Sequence, residues 1–246
     1  MKPEEVQALY DPAYAQAYDE KFLHSKVDQT RTREFARMLS DHLGTAEERK
    51  SWLDLGCGTG YFLSQFPNHK RAGLDLSPAM LDIARRRNPG VDFTQGSFTE
   101  AHPEWENQWD VITCMWYAYG LLDDLGQIKT LLNHMALWCK PGGLVFLHYA
   151  DPRLIGGAQF PDSIQHPQGL IQIDGILWSF VEADDKVHVS QLAPTLDWIR
   201  RTSRPFFGSM EVVQHAPAET ALLEQVDPEW AKAVQAEEVV LFRNPV

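Results

Sequence analysis

Cysteine and positive charge are both scarce in this sequence. Its 246 residues include 3 cysteines, at positions 57, 114 and 139, and their number and irregular spacing exclude a disulfide framework and a zinc cluster. The 34 Asp and Glu residues outnumber the 22 Lys and Arg residues, which gives a formal net charge of -12. Because nucleic-acid phosphates bind to basic surfaces, this balance argues against a nucleic-acid partner.

Long apolar runs, internal repeats and low-complexity tracts are also lacking. No apolar run has the length needed to span a bilayer, and residues 2–5 do not have the pattern of a secretory signal. We therefore predict no membrane partner and a reducing, cytoplasmic location. The hydrophobic share of 44% and the charged share of 23% suit a packed globular domain with an added cap.

A glycine loop is the feature around which the chain is organised. The apolar run at 52–55 predicts a β-strand, and glycines at 56, 58 and 60 follow it before helical spacing resumes at Tyr61. Glycine permits positive φ and lets a ligand approach the main chain, so this loop predicts a small-molecule site. A dinucleotide-binding loop would place its third small residue at Tyr61, and the Gly-Lys-Ser/Thr of a phosphate-binding loop occurs nowhere in the chain.

A second predicted strand ends in an acid 19 residues after Gly56. Residues 71–75 form this strand, and Asp75 stands at its carboxyl end. A carboxylate at the tip of a neighbouring strand can accept hydrogen bonds from both ribose hydroxyls of an adenosine. Leu76 then offers an apolar surface for the adenine. An isolated acid in a turn is usually just solvated, but its spacing from the glycine loop favours a binding role.

The segment Asp54-Leu55-Gly56-Cys57-Gly58-Thr59-Gly60 resembles the first motif of class I S-adenosylmethionine-dependent methyltransferases, (D/E)xGxGxG. Asp75, a strand at 109–115 and a Lys-Pro-Gly-Gly turn at 140–143 before a strand at 144–148 follow in the family's order. The resemblance covers residues 50–150. It implies an α/β fold with a doubly wound, seven-stranded Rossmann-like sheet and helices on both faces. It also implies that S-adenosylmethionine donates a methyl group, by in-line displacement, to N or O of a small-molecule acceptor.

The resemblance implies which residues contact the cofactor, and it implies no metal. One position departs from the family pattern. The family usually carries Asp or Glu at position 97, where it takes the adenine amino group, whereas this chain has Ser97, whose hydroxyl or neighbouring backbone could make that bond. The implied set is Tyr18, Asp54, Gly56, Cys57, Gly58, Tyr61, Asp75, Leu76, Met80, Gly96, Ser97, Phe98, Cys114 and Met115.

Three residues that follow predicted strands are candidates for the catalytic role. Tyr117 and Tyr119 follow the fourth strand and His148 ends the fifth. Ligands of doubly wound sheets bind at the carboxyl ends of the central strands, so we expect these side chains to position the acceptor and to move a proton where the acceptor needs it. Trp116 could equally line the pocket or pack in the core. A histidine at a strand end more often packs in the core or forms a polar end of the strand than contacts a substrate.

Residues 1–45 precede the predicted cofactor-binding core, 46–151. Tyr10, Tyr14, Tyr18 and Phe22 recur every four residues, which predicts a helix with one aromatic face. Such a face usually packs into a core. The family resemblance offers the alternative of a lid over the cofactor, carried here by Tyr-Asp-x-x-Phe at 18–22, in which aromatic rings attract the sulfonium cation.

The carboxyl-terminal half has a different pattern. Residues 152–210 contain Gly156-Gly157 and several runs rich in β-forming residues, including 195–199, and predict an antiparallel cap that selects the substrate. Residues 211–246 are predicted to complete the core sheet through 211–213 and 237–242, with a short helix at 217–225. This layout resembles the sugar-amine N-methyltransferases.

Two other functions are compatible with the sequence. The chain could bind S-adenosylmethionine or S-adenosylhomocysteine without catalysis, if the aromatic residues and the cap close the acceptor space. A nicotinamide-dependent oxidoreductase is less compatible, because of Tyr61. We expect a monomer or homodimer. The pattern does not distinguish N- from O-methylation.

Overall fold

A computed structural model describes residues 1–24, 26–43, 48–150, 161, 163–182, 186–214 and 237–245. Helices precede the first strand, helices lie between most of the strands as far as β5, and the rest of the described chain is mainly strands. The helices are α1 (Pro3–Leu9), α2 (Pro12–Phe22), α3 (Lys26–Leu43), α4 (Tyr61–Ser64), α5 (Pro78–Arg87), α6 (Leu125–Trp138) and α7 (Leu196–Ser203). The strands are β1 (Ser51–Leu55), β2 (Lys70–Asp75), β3 (Asp92–Gln95), β4 (Trp109–Cys114), β5 (Cys139–Ala150), β6 (Ser163–His166), β7 (Gly169–Gln172), β8 (Gly175–Val181), β9 (Val187–Pro194), β10 (Phe207–Gln214) and β11 (Glu237–Pro245).

Seven strands form the central sheet in the order β10-β11-β5-β4-β1-β2-β3. The strands from β5 to β3 in this order pair in parallel, whereas β11 is antiparallel to both β5 and β10. The strand order reverses between β1 and β4, and in such sheets a crevice opens there, at the carboxyl ends of the strands. The predicted doubly wound, seven-stranded α/β fold is confirmed.

Helices cover both faces of this sheet because its central strand is apolar on both sides. All five residues of β1 are buried. Leu53 and Leu55 belong to the core cluster that contains the apolar face of α6, whereas Trp52 points to the opposite cluster, with Phe35 of α3 and Phe62 of α4. Parallel strands buried on both faces have such near-continuous apolar runs.

Local sequence signals explain where α5 begins. Ser77 is the N-cap, and its side-chain oxygen accepts a hydrogen bond from the Met80 amide at 3.2 Å. Pro78 occupies the first helical position, where its fixed φ is favourable and its missing N–H costs nothing. Three arginines in the last turn complement the helix dipole.

Three expectations about secondary structure are wrong. Residues 195–199 belong to α7 rather than to a strand, because Thr195 caps the helix and accepts the Trp198 amide at 3.3 Å. The Lys-Pro-Gly-Gly segment lies inside β5, where Gly142 has a φ of 79° and the register with β4 shifts between Trp109 and Val111. Strand β10 begins at Phe207, so the core sheet takes up the last residues assigned to the cap.

The predicted cap contributes two antiparallel hairpins that lie outside the central sheet. One pairs β6 with β7 and the other pairs β8 with β9. Gly156-Gly157 and the helix expected at 217–225 fall outside the described residues, and the division into lid, core, cap and carboxyl-terminal segment stays a prediction. None of the helices in the described ranges combines the length and the apolar character that crossing a bilayer requires.

Candidate active site

A cavity of about 260 Å³ opens at the carboxyl ends of β1 to β4, under the amino-terminal helices. Thirteen of the fourteen residues predicted to contact the cofactor line it. The exception is Cys114, which is fully buried in the core cluster with Leu53 and Leu55, so its expected cofactor contact is wrong. The thirteen are Tyr18, Asp54, Gly56, Cys57, Gly58, Tyr61, Asp75, Leu76, Met80, Gly96, Ser97, Phe98 and Met115.

The glycine loop forms one wall of the cavity with main-chain atoms. Gly56 and Gly58 have φ values of 70° and 53°, in the left-handed region that favours glycine. A Cβ atom at Gly56 would lie 2.5 Å from the Cβ of Ala118, so this glycine lets the chain after β4 come close. A Cβ atom at Gly58 would meet nothing within 4 Å, which leaves space for a ligand against the backbone.

Asp75 is held in place by the loop and by α5. Its carboxylate accepts the amide hydrogens of Gly58 and Ser77, both at 2.8 Å. A carboxylate has about four acceptor sites, so about two are left for a pair of hydroxyl groups. Burial raises the pKa of the Asp75 carboxyl, against the opposing effect of these amides.

Asp54 ends a chain of buried hydrogen bonds that begins on β1. The Trp52 indole donates to the Thr113 hydroxyl at 2.8 Å, and that hydroxyl donates to Asp54 at 2.6 Å. Burial raises the pKa of Asp54 to about 7, opposed by the bond from Thr113 and assisted by the negative charge of Asp75. This carboxyl therefore changes its charge near neutral pH.

Carboxylates dominate the charge of the cavity. Asp54, Asp75, Glu100 and Asp123 line it, and its described lining contains no lysine or arginine side chain. Asp123, at the mouth, also lies 2.8 Å from the amino group of Met1. Met1 also lines the cavity but its amino group is paired with Asp123, so the remaining charged groups of the described lining are carboxylates, which favour a cationic ligand.

The turn after β4 has a strained backbone. Trp116 and Tyr117 have φ values of 54° and 57°, a conformation that costs a non-glycine residue about 1–3 kcal/mol. His148 supports it from behind, since its Nδ1 accepts the Trp116 amide at 3.1 Å and its ring lies 4.3 Å from that of Tyr117. Trp116 and Tyr117 both line the cavity.

Only Tyr117 among the three predicted catalytic residues lines the cavity. Tyr119 is 1% exposed and belongs to the core cluster, and His148 is 0% exposed, with its ring 4.3 Å from that of Phe35. The expectation that Tyr119 and His148 touch the acceptor is wrong. Both follow or end a strand as predicted, but other segments cover them. His148 acts on the site through the backbone of Trp116.

The aromatic stripe begins at Tyr10, just after α1, continues along α2, and is divided between a small core and the cavity, whereas its role as a lid stays a prediction. Tyr14 is buried, whereas Tyr10 and Tyr18 line the cavity. Rings four residues apart pack against one another, with centroids 5.5 Å apart for Tyr10 and Tyr14 and 5.1 Å for Tyr18 and Phe22. The stripe therefore joins a small core to one wall of the cavity.

Two groups of polar contacts tie α2 to the rest of the protein. The Thr59 hydroxyl donates to Asp19 at 2.7 Å, and Arg87 pairs with Asp19 and donates to the Thr59 carbonyl at 2.9 Å. On the other side, the Tyr14 hydroxyl donates to Glu182, next to β8, and lies 3.2 Å from Nε2 of His188 on β9. These contacts fasten α2 to both the glycine loop and the β8–β9 hairpin.

Several lining residues were missed by the sequence analysis. Tyr10 carries a signal, the four-residue spacing of the stripe, but its role was left open. Glu100, Gln127 and Gln191 carry none, because a single polar residue on a turn, helix or hairpin gives no pattern. Among the described residues, no group of three or more His, Cys, Asp or Glu side chains is arranged to hold a metal ion.

Residues 53–143, which include the glycine loop, Asp75 and the strained turn, match the methyltransferase domain family. These residues form a methyltransferase domain. Over these residues the match confirms the predicted methyltransferase family, and the seven-stranded sheet confirms the predicted fold.

Two named methyltransferases are similar to this chain in sequence. The chain is 30% identical over 145 residues, 58% of its length and 57% of the relative's, to dTDP-4-amino-2,3,4,6-tetradeoxy-D-glucose N,N-dimethyltransferase of Saccharopolyspora spinosa. It is 31% identical over 157 residues, 61% of both chains, to demethylmenaquinone methyltransferase of Renibacterium salmoninarum. The chain thus matches about three fifths of the length of these relatives.

Solved structures resemble a larger part of the chain. An amino pentose methyltransferase from Micromonospora echinaspora with bound S-adenosylmethionine has a TM-score of 0.59 and 20% identity, over 94% of this chain and 97% of that one. The Streptomyces venezuelae protein DesVI has a TM-score of 0.64 and 17% identity, over 94% and 98%. At these identities the likeness shows the fold.

Proposed function

We propose that this chain transfers a methyl group from S-adenosylmethionine to a nitrogen atom of a small-molecule amine. The observation that carries the proposal is the cavity at the glycine loop, whose charged side chains are all carboxylates among the described residues. S-adenosylmethionine carries a positive sulfonium, and an amine is cationic when protonated, so both ligands suit such a cavity. The named sugar N,N-dimethyltransferase relative supports an amine acceptor.

The residues present fit S-adenosylmethionine. Asp75 has acceptor sites left for the two ribose hydroxyls, and Gly58 leaves space for the ligand against the main chain. The Asp54 carboxylate can accept hydrogen bonds from the cationic amino group of the methionine part. The ring of Tyr18 lines the same cavity and adds the attraction of an aromatic face for a cation.

The same charges argue against a nicotinamide dinucleotide. Its pyrophosphate is anionic and would lie at the glycine loop, where the carboxylates of Asp54 and Asp75 line the cavity. Sites for such phosphates use backbone amides at a helix start, often with a basic side chain nearby. One amide of this loop, that of Gly58, already donates to Asp75.

When bound, S-adenosylmethionine supplies the electrophilic methyl group. The chain's own part is to orient the acceptor and to exclude water, which can contribute several kcal/mol to the rate. Trp116 and Tyr117 form the apolar wall beside the strand tips, and Gln127 and Gln191 offer hydrogen bonds from α6 and β9. A protonated amine must lose its proton to solvent water before it can attack, and the Tyr117 hydroxyl is the candidate group to accept a hydrogen bond from the neutral amine and orient it.

Calorimetric titration with S-adenosylmethionine, S-adenosylhomocysteine and NADH tests the cofactor. We expect micromolar binding of the two sulfur compounds and none of NADH. Asp75→Ala should weaken the binding of S-adenosylhomocysteine by roughly 10- to 100-fold, since it removes hydrogen bonds to a charged group. Asp92→Ala, at an exposed acid on the next strand, is the matched control and should bind normally. Binding of NADH alone would contradict the proposal.

Mass spectrometry of reactions with a panel of amines and phenols tests the transfer. Methylated amines are expected. Methylation of phenols alone would overturn the choice of nitrogen, and binding of the cofactor without turnover of any acceptor would favour the non-catalytic alternative.

A further inference from the structure

We infer that Glu100 recognises the adenine amino group of the cofactor, at a site where the family's acid is replaced by Ser97, whose hydroxyl already contacts Thr99. The inference rests on the proposed function, because it assumes an adenosine with its ribose at Asp75. It adds a residue that selects the base of that adenosine.

The Ser97 hydroxyl is already engaged. It lies 2.8 Å from the Thr99 hydroxyl, and it accepts the Thr99 amide at 3.2 Å. The Ser97 carbonyl accepts the Glu100 amide at 2.9 Å, so residues 97–100 form a tight turn. Within this turn, the Ser97 hydroxyl contacts Thr99 and the Ser97 carbonyl contacts the Glu100 amide. The turn also carries the side chain of Glu100 back toward the cavity.

The Glu100 carboxylate lies over the end of β3. A Cβ atom at Gly96 would be 3.0 Å from Oε2 of Glu100 and 3.5 Å from the Leu74 side chain. Glu100 lines the cavity together with Gly96. Among the described residues its carboxylate has no hydrogen-bond or ion-pair partner, whereas the nearby Glu104 accepts from His102 at 2.9 Å. One face of Glu100 is solvated, and the other is available to a ligand.

The position of this carboxylate matches the base of an adenosine held at Asp75. The Gly96 amide donates to the carbonyl of Asp75 at 3.1 Å, so the two strand tips are direct neighbours. Leu76 and Phe98 line the space between them and offer apolar surfaces to a purine ring. A carboxylate only accepts hydrogen bonds, so its complement on the base is a donor, and the adenine amino group is one. An oxo group at that position would be repelled.

The test compares S-adenosylhomocysteine with S-inosylhomocysteine, in which an oxo group replaces the amino group. We expect the wild-type protein to bind the adenine compound roughly 10- to 100-fold more tightly by calorimetry, the usual effect of a hydrogen bond to a charged group. Glu100→Gln should reduce this ratio to within about threefold, because an amide can donate as well as accept. Glu104→Gln, outside the cavity lining, should keep the wild-type ratio.

Each other outcome has a definite meaning. If Glu100→Gln keeps the wild-type ratio, the inference is overturned while the proposed function stands. If the preference for the adenine compound is lost in Ser97→Ala but kept in Glu100→Gln, Ser97 recognises the base instead. If the wild-type protein binds neither compound, the proposed function fails, and this inference with it. Unfolding curves of the variants separate loss of recognition from loss of folding.

Discussion

The two walls of the cavity are built in different ways. The wall at the strand tips includes the glycine loop and two acids, Asp54 and Asp75, all within one short stretch of chain. The opposite wall includes Tyr10, just after α1, and Tyr18 of α2. Its position depends on contacts between distant segments, such as Tyr14 with Glu182, 168 residues apart, and Asp19 with Arg87, 68 residues apart.

This difference separates direct effects on cofactor binding from effects on the docking of α2. The strand-tip wall is set by backbone conformation, so changes there should act on cofactor affinity directly. The helical wall is fastened by side chains, so changes there should act first on the docking of α2 and only then on affinity. The predictions that follow test this distinction, from the largest expected effect to the smallest.

Gly56→Ala should have the largest effect. The new Cβ would lie 2.5 Å from that of Ala118 on a backbone with positive φ, which costs roughly 2–6 kcal/mol from strain and overpacking together. We expect binding of S-adenosylhomocysteine to become undetectable by calorimetry, with a clear loss of stability in urea. Gly90→Ala is the matched control, since Gly90 has a φ of 79° but a Cβ atom there would meet nothing within 4 Å. Equal binding by both variants would show that the close approach at Gly56 is unimportant.

Arg87→Ala should act by weakening the docking of α2 onto the glycine loop. Arg87 joins Asp19 of α2 to Thr59 of the glycine loop, and its loss leaves a half-buried carboxylate without its cation. We expect roughly tenfold weaker cofactor binding, together with faster amide hydrogen exchange in α2. Arg85→Ala, which removes an exposed pair with Asp82, should change neither. Weaker binding with unchanged exchange in α2 would place Arg87 in the strand-tip wall instead.

The pH dependence of binding should identify Asp54. Its pKa of about 7 lies above the ordinary value, so the ligand-free carboxyl is largely neutral at pH 6 and ionised at pH 8. A cationic ligand favours the ionised form, so S-adenosylmethionine should bind about tenfold more weakly at pH 6 than at pH 8, following the one-proton relation. Asp54→Asn should bind more weakly and lose this dependence. A dependence that persists in Asp54→Asn would assign it to another group.

The same carboxyl affects stability with the opposite sign. A carboxyl whose pKa is raised on folding binds more protons in the folded state than in the unfolded state. The free energy of unfolding should therefore be highest at acidic pH for this group and fall as pH rises through about 7. Urea titrations of the wild-type protein and Asp54→Asn across this range measure its contribution.

Tyr14→Phe should have the smallest effect on binding. It removes the hydroxyl that contacts Glu182 and His188 but keeps the ring, and Glu182 retains Lys21 at 2.7 Å. We expect a loss of about 1–3 kcal/mol in stability, from a buried polar contact, with cofactor affinity changed less than threefold. Glu20→Gln, on the exposed side of α2, is the control. A larger loss of affinity than of stability would mean that the hairpin contact also shapes the cavity.

Sequence patterns predicted much of this site because they act over short distances. The αL conformations of Gly56 and Gly58 and the acid at the end of β2 follow from residues next to one another. The parallel strands were found from their apolar runs. Thr195 is the instructive failure, since β-forming residues after it suggested a strand, whereas its hydroxyl caps α7.

The sequence by itself determined the family, the sheet and the strand-tip wall, because hydrophobic period, glycine spacing and capping are local properties of the chain. The tertiary structure decided which strand-tip side chains reach the cavity. It buried Tyr119 and His148 under other segments, turned Glu100 toward Gly96 and joined α2 to the β8–β9 hairpin. Exposure depends on what else packs nearby, and no local pattern contains that information.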